Sequence, residues 1–82
     1  MKVWITNYAL SAGIQEMDAE DLDDRFPGMI AVVDGAHRQH FHGEGKNWHR
    51  TEQSAKTRAA AMRHDKINSL KKQIAKLEKL TF

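Results

Sequence analysis

The sequence predicts an α+β fold: a small antiparallel β-meander or SH3-like barrel over residues 1–50, followed by one long C-terminal helix over residues 51–82 with a coiled-coil-like end. Three observations lead there. Short β-rich stretches alternate with turn residues as far as His49. No glycine or proline follows Gly45. From Ala55 onward, apolar residues recur at helical spacing. A chain of 82 residues is the size of a single small domain, so both parts are read as one unit.

The elements follow in order. "KVWIT" (2–6) is β-rich, and "NYALSAG" (7–13) carries the Asn, Ser and Gly of a turn or loop. Residues 14–22, "IQEMDAEDL", alternate loosely and read as a strand. "DDRFPG" (23–28) is a turn, because Pro27 fixes φ and Gly28 permits a positive one. "MIAVV" (29–33) is the clearest strand, and Asp34-Gly35 opens a hairpin turn extending to Gln39. "HFH" (40–42) returns, "GEGK" (43–46) turns again, and "NWH" (47–49) is a last short strand. In so small a domain Trp4, Tyr8, Phe26, Phe41 and Trp48 are expected in the core rather than on a base-stacking surface.

Thr51 then begins a different regime. It is a good N-cap residue, with Glu52 in the first turn where the helix dipole favours a carboxylate. Ala55, Ala59, Met62, Ile67, Leu70, Ile74, Leu77 and Leu80 trace an amphipathic stripe. From Ile67 the steps are 3, 4 and 3, the a/d seam of a heptad. A helix bounded by Thr51 and Leu80 would have about 28 residues between them and be about 42 Å long. A barrel of short strands spans only about 17–20 Å along its strands. The alanine-rich start can lie close on the sheet, whereas Ile67, Leu70, Ile74 and Leu77 project beyond it and need another apolar surface. A second copy of the same helix is the simplest cover, so these four residues are the predicted self-association seam of a homodimer. The competing expectation is a sheet curled far enough to cover the seam within one chain.

Charge is distributed unevenly. Residues 1–34 hold two Lys and Arg against seven Asp and Glu, and residues 35–82 hold eleven against four. Such polarity points to contact between the halves or to an anionic partner for the basic one. There is no cysteine, which removes disulfides and cysteine-based zinc sites and fits a reducing compartment. No signal-peptide core and no membrane-length apolar run is seen, so a soluble cytoplasmic protein without membrane contact is expected.

Four groups of residues bear on function. His40 and His42 are two apart and would share a strand face; with His49 on a neighbouring strand they would make a three-nitrogen zinc site with Glu44 as base. No motif with metal-site spacing supports that, so no metal or other cofactor is expected and a histidine–metal enzyme is the weakest reading. The acidic run Glu16, Asp18, Glu20, Asp21, Asp23 and Asp24 lacks calcium-loop spacing. It reads as a solvated sheet edge, or as the face that docks on a host protein or protein complex. Ser11, Ser54 and Ser69 lie in no nucleophile elbow and beside no obvious base, so catalysis is not expected. Arg58, Lys72, Lys76 and Lys79 share a helix side away from the leucine seam, a solvated exterior or a grip on nucleic-acid phosphates.

Three stretches, "KVWITNYALSAGI", "FHGEGKNWHRT" and "AAAMRHDKINSLKKQIAKLEKLTF", resemble very small accessory proteins carried by phages, prophages and other bacterial mobile elements. The likeness is vaguest over residues 19–37. It implies a setting, the bacterial cytoplasm, rather than a mechanism. Accessory proteins of this size often bind a host macromolecule and redirect or block it, and an inhibitor of a host defence system, anti-CRISPR-like in role, is among the functions implied.

Overall fold

A computed structural model describes residues 1–82, the side chain of Asp34 excepted. The chain is α+β. Six short strands precede one helix: β1 (Lys2–Ile5), β2 (Gln15–Asp18), β3 (Glu20–Asp21), β4 (Ile30–Asp34), β5 (His37–Phe41), β6 (Trp48–His49) and α1 (Glu52–Glu78).

All strand pairings between these elements are antiparallel, and they form two three-stranded sheets, β2-β1-β6 and β3-β4-β5. The stretch expected as one strand over residues 14–22 is two strands broken at Ala19. The break hands the chain from one sheet to the other: Met17 pairs with Val3 in the first, and Glu20 pairs with Ala31 in the second. Ala19 itself stays tied to β1, its amide donating to the Met1 carbonyl at 2.7 Å. Strand β1 also pairs with β6, Ile5 opposite Trp48. Joining the first strand to the last gives the first sheet an order, β2-β1-β6, that a simple meander would not have.

The hairpin read from Asp34-Gly35 is tighter than expected, since Asp34 already pairs with His37. Gly35, first of the two loop residues, has φ +61°, which suits a type II′ turn. Gly43 has a stricter role. Its φ is +82°, and a Cβ there would lie 3.3 Å from Asn47 Nδ2. That amide donates to the His42 carbonyl at 2.8 Å and closes the last turn before β6.

The core lies between the sheets. Val3 and Ile5 of β1, Ile30 and Val32 of β4, Phe41 and Trp48 form one buried cluster, with Ala19 at the strand break and Met17 packed against it. The period of two explains who faces inward: Val3 and Ile5 point in, so Trp4 between them points the other way and is half-buried. Tyr8 and Phe26, also expected in the core, are exposed. Both sit in turns, Tyr8 accepting from the Ser11 and Ala12 amides and Phe26 between Leu22 and Met29, where the backbone curls outward.

Helix α1 has 27 residues, about 40 Å at 1.5 Å per residue. It ends at Glu78, two residues before the Leu80 boundary expected from the apolar pattern. Its first turns rest on β1 and β6. Ala55 is its buried residue, with Arg58, Ala59 and Met62 half-buried, and every position from Arg63 to Phe82 is exposed. The molecule measures 57 × 27 × 21 Å, a globule with a rod standing out from it.

Candidate functional site

The junction between globule and rod is built by residues 47–54. Trp48 is fully buried, and its indole Nε1–H donates to the Gly28 carbonyl at 2.9 Å. The Arg50 guanidinium lies 5.1 Å from the centroid of the same ring. Arg50 also reaches Glu44 at 2.9 Å and Asp21 at 3.3 Å. Those carboxylates, Glu44 first, raise its pKa. Thr51 caps the helix as expected: it is extended, and its Oγ1 accepts from the Ser54 amide at 3.2 Å. Glu52 and Lys56 pair across the first turn at 3.0 Å.

His49 is buried beneath this corner and satisfied on both sides. Its Nε2 is 3.0 Å from Thr6 Oγ1, and its Nδ1 is 2.7 Å from Ser54 Oγ. The tautomer follows from proton counting. Thr6 has one hydroxyl proton, which it donates to the Lys46 carbonyl at 2.8 Å, so its oxygen accepts from His49 Nε2–H. Nδ1 is then the acceptor, and the Ser54 hydroxyl donates to it. Burial, and secondarily the charge of Arg58, lower the His49 pKa and keep the ring neutral.

The Ser54–His49 pair escaped the sequence reading, which found no base near any serine. The two are five residues apart across a strand-to-helix corner, and the available signal was a histidine just before an N-cap with a serine three residues after it. The contact resembles a nucleophile beside a base, but the ring is poorly equipped for that work. Its far nitrogen faces a neutral hydroxyl rather than a carboxylate, and Arg58 opposes the imidazolium that proton abstraction would create. The Thr6–His49–Ser54 chain of contacts links the first turn of the helix to β6 and to the end of β1.

The histidine triangle does not assemble. His40 lies on β5 in one sheet and His49 on β6 in the other, while His40 and His42 are exposed. Among the described residues no group of three His, Asp or Glu side chains is placed to hold a metal ion.

The acidic run is largely occupied within the chain. Glu16 pairs with Lys2 at 3.0 Å and Glu20 with Arg38 at 3.2 Å. Asp21 accepts from the Asp23 amide at 2.9 Å, which chiefly lowers its pKa, and it also meets Arg50. Asp23 accepts from the Gly28 amide at 2.7 Å and holds the 23–28 turn. The side chains of Asp18, which stands opposite Lys2 in the β1–β2 register, and of Asp24 are exposed and make none of the side-chain hydrogen bonds or ion pairs found among the described residues.

Two faces of the rod remain. On one, Ile67, Leu70, Ile74 and Leu77 are 44%, 43%, 53% and 66% exposed, with Leu80 and Phe82 beyond them also exposed. No strand reaches them, so the intrachain cover considered from the sequence is not present. On the opposite face Lys72, Lys76 and Lys79 line one open surface with Ser69 and Gln73. Arg58 does not continue that row. It is half-buried at the junction, and its Nε is buried without a hydrogen-bond partner among the described residues.

Comparison with known protein families, with curated proteins and with solved structures finds no match.

Proposed function

We propose that this protein is a non-enzymatic binding module that acts as a homodimer: an accessory protein of a phage or mobile element that engages a macromolecule of its bacterial host. One observation carries the proposal. Two small packed sheets hold the start of a long helix whose far half presents four aliphatic side chains at heptad spacing to solvent. Most helical stability in proteins comes from packing of an amphipathic face rather than from propensity. Exposure of the seam therefore supports an interface with a second copy. The mobile-element setting, and a role in blocking a host defence component, rest on the resemblance of the three sequence stretches.

One acidic surface remains for the host partner once the seams have met. It holds Asp18 and Asp24, the carboxylates of the run outside the intrachain side-chain pairs. The test combines mass and capture. By light scattering the wild-type chain of 9.4 kDa should show twice that mass, and Leu70→Glu with Leu77→Glu should return it to the monomer. From host lysate the tagged protein should retrieve a stoichiometric partner that Asp18→Lys with Asp24→Lys no longer retrieves, its mass being unchanged. A dimer that survives both glutamates, or failure to retrieve any partner across plausible hosts, would overturn the proposal.

A second reading is favoured by the lysine row. Lys72, Lys76 and Lys79 point away from the seam and make no ion pair among the described residues, so a dimer would display two basic ridges. Such ridges suit phosphates without base readout. Binding of DNA or RNA that falls steeply between low and moderate salt would support it, and no binding at low salt removes it.

A further inference from the structure

We propose, resting on the self-association reading above, that the seam is covered by a second copy of this chain running antiparallel, the tail of each chain from Leu80 to Phe82 seated in a groove at the base of the other chain's helix. The groove lies between the loop after β1 and the helix. It has a volume of about 350 Å³ and is lined by Leu10, Ile14, Ala59, Ala60 and Arg63, among others. Leu10 on its rim is exposed, as are Leu77, Leu80 and Phe82 at the other end of the molecule.

Continuity on the helix connects the two features. Ala60, Arg63, Ile67, Leu70, Ile74 and Leu77 step by 3, 4, 3, 4 and 3, so the helix wall of the groove is the seam continued toward the sheets. A helix laid along the seam points its end into the groove only if it runs antiparallel. Length agrees. With Ile67 opposite Leu77 of the second copy and Leu70 opposite its Ile74, the twofold axis passes level with Lys72. Glu78, the last helical residue, then lies level with Lys66 of the other chain, and the four residues beyond it extend toward Arg63 and Ala60 of the groove.

Charge points the same way. Residues 1–51 hold five Lys and Arg against eight Asp and Glu, and residues 52–82 hold eight against three. An antiparallel pair lays the basic end of each rod toward the acidic β-rich part of its partner. On the flanks of the seam, a parallel pair would set Lys66 against Lys71 twice. The antiparallel pair sets Lys71 against its own copy once and brings His64 beside Glu78 twice. Ile at a and Leu at d taken alone favour parallel two-stranded coils, but the seam is two heptads long and a parallel pair would leave both grooves empty.

The chain has no cysteine, so Thr57→Cys creates a single site for a spin label on an exposed position. In the antiparallel dimer the labelled positions stand 15 residues to either side of the axis, about 45 Å apart along the helices. A parallel dimer holds them near the interhelical spacing of about 8–10 Å plus the label arms. Pulsed dipolar spectroscopy separates these cases. Leu10→Asp and, from the other side of the contact, Leu80→Asp should each raise the dimer dissociation constant at least tenfold with an unchanged circular dichroism spectrum. A dimer with the short distance overturns the orientation and leaves self-association standing. The long distance with a dimer indifferent to both aspartates overturns the seating of the tail. A wild-type monomer at high concentration overturns this inference and the reading beneath it together.

Discussion

Replacing Trp48 by alanine should remove much of the stability of this protein, and the size of the loss follows from its contacts. The side chain is fully buried in the cluster that joins both sheets, and it lies on the strand that leads into the helix. Truncating a buried tryptophan costs about 3–5 kcal/mol through lost transfer energy and the cavity left behind. Loss of the Arg50 contact adds about 0.5–1 kcal/mol. A domain of this size is stable by roughly 4–12 kcal/mol, at about 0.05–0.15 kcal/mol per residue. A loss of about 4 kcal/mol with a urea dependence near the low end of the usual range, about 1–1.5 kcal/mol/M, lowers the unfolding midpoint by roughly 3 M. Far-UV circular dichroism in a urea titration reads this out. Trp48→Phe keeps most of the ring volume and loses the donor to the Gly28 carbonyl, and should cost about 1–2 kcal/mol. A change below about 1 kcal/mol for Trp48→Ala would refute the placement of Trp48 at the centre of the core and the fastening of the helix through it.

Two further perturbations test the junction. Because burial lowers the folded pKa of His49 below its unfolded value, the unfolded chain takes up the proton first as pH falls. Stability should be level above about pH 7 and decline from about pH 6.5 toward the lowered folded value, by at most about 1.4 kcal/mol per pH unit for this one group. His49→Gln should flatten that decline in urea titrations at pH 7 and pH 5; an identical decline in the variant would place its origin elsewhere. Thr51→Ala removes the acceptor of the Ser54 amide and should cost about 1 kcal/mol, seen as a lower melting temperature, whereas no change would mean that the cap is dispensable.

The parts of the fold legible in the sequence are those set by local chemistry. Thr51, the absence of glycine and proline after Gly45, and the apolar spacing from Ala55 marked the helix because capping and periodicity are properties of the segment itself. Asp34-Gly35 marked the central hairpin for the same reason. Residues 14–22 were harder: the break at Ala19 exists because the chain passes between sheets, a demand that nothing near Ala19 announces. Hydrophobicity alone misplaced Tyr8 and Phe26, since turn geometry and not side-chain type carries them outward. The exposed seam was legible because helix length and strand length can be compared before any packing is known. The His49 network was not, because it depends on Thr6, forty-three residues away, arriving at the same corner. Nor did charge alone reveal that four of the six clustered carboxylates are used within the chain.

Amide hydrogen exchange at several protein concentrations probes the uncovered rod most directly. Protection of residues 67–80 should rise with concentration while that of the β1, β4 and Trp48 amides does not, and Leu70→Glu with Leu77→Glu should abolish the rise. Protection of the helix end that is the same at every concentration and in the double variant would contradict self-association, for then the rod needs no second copy to be covered.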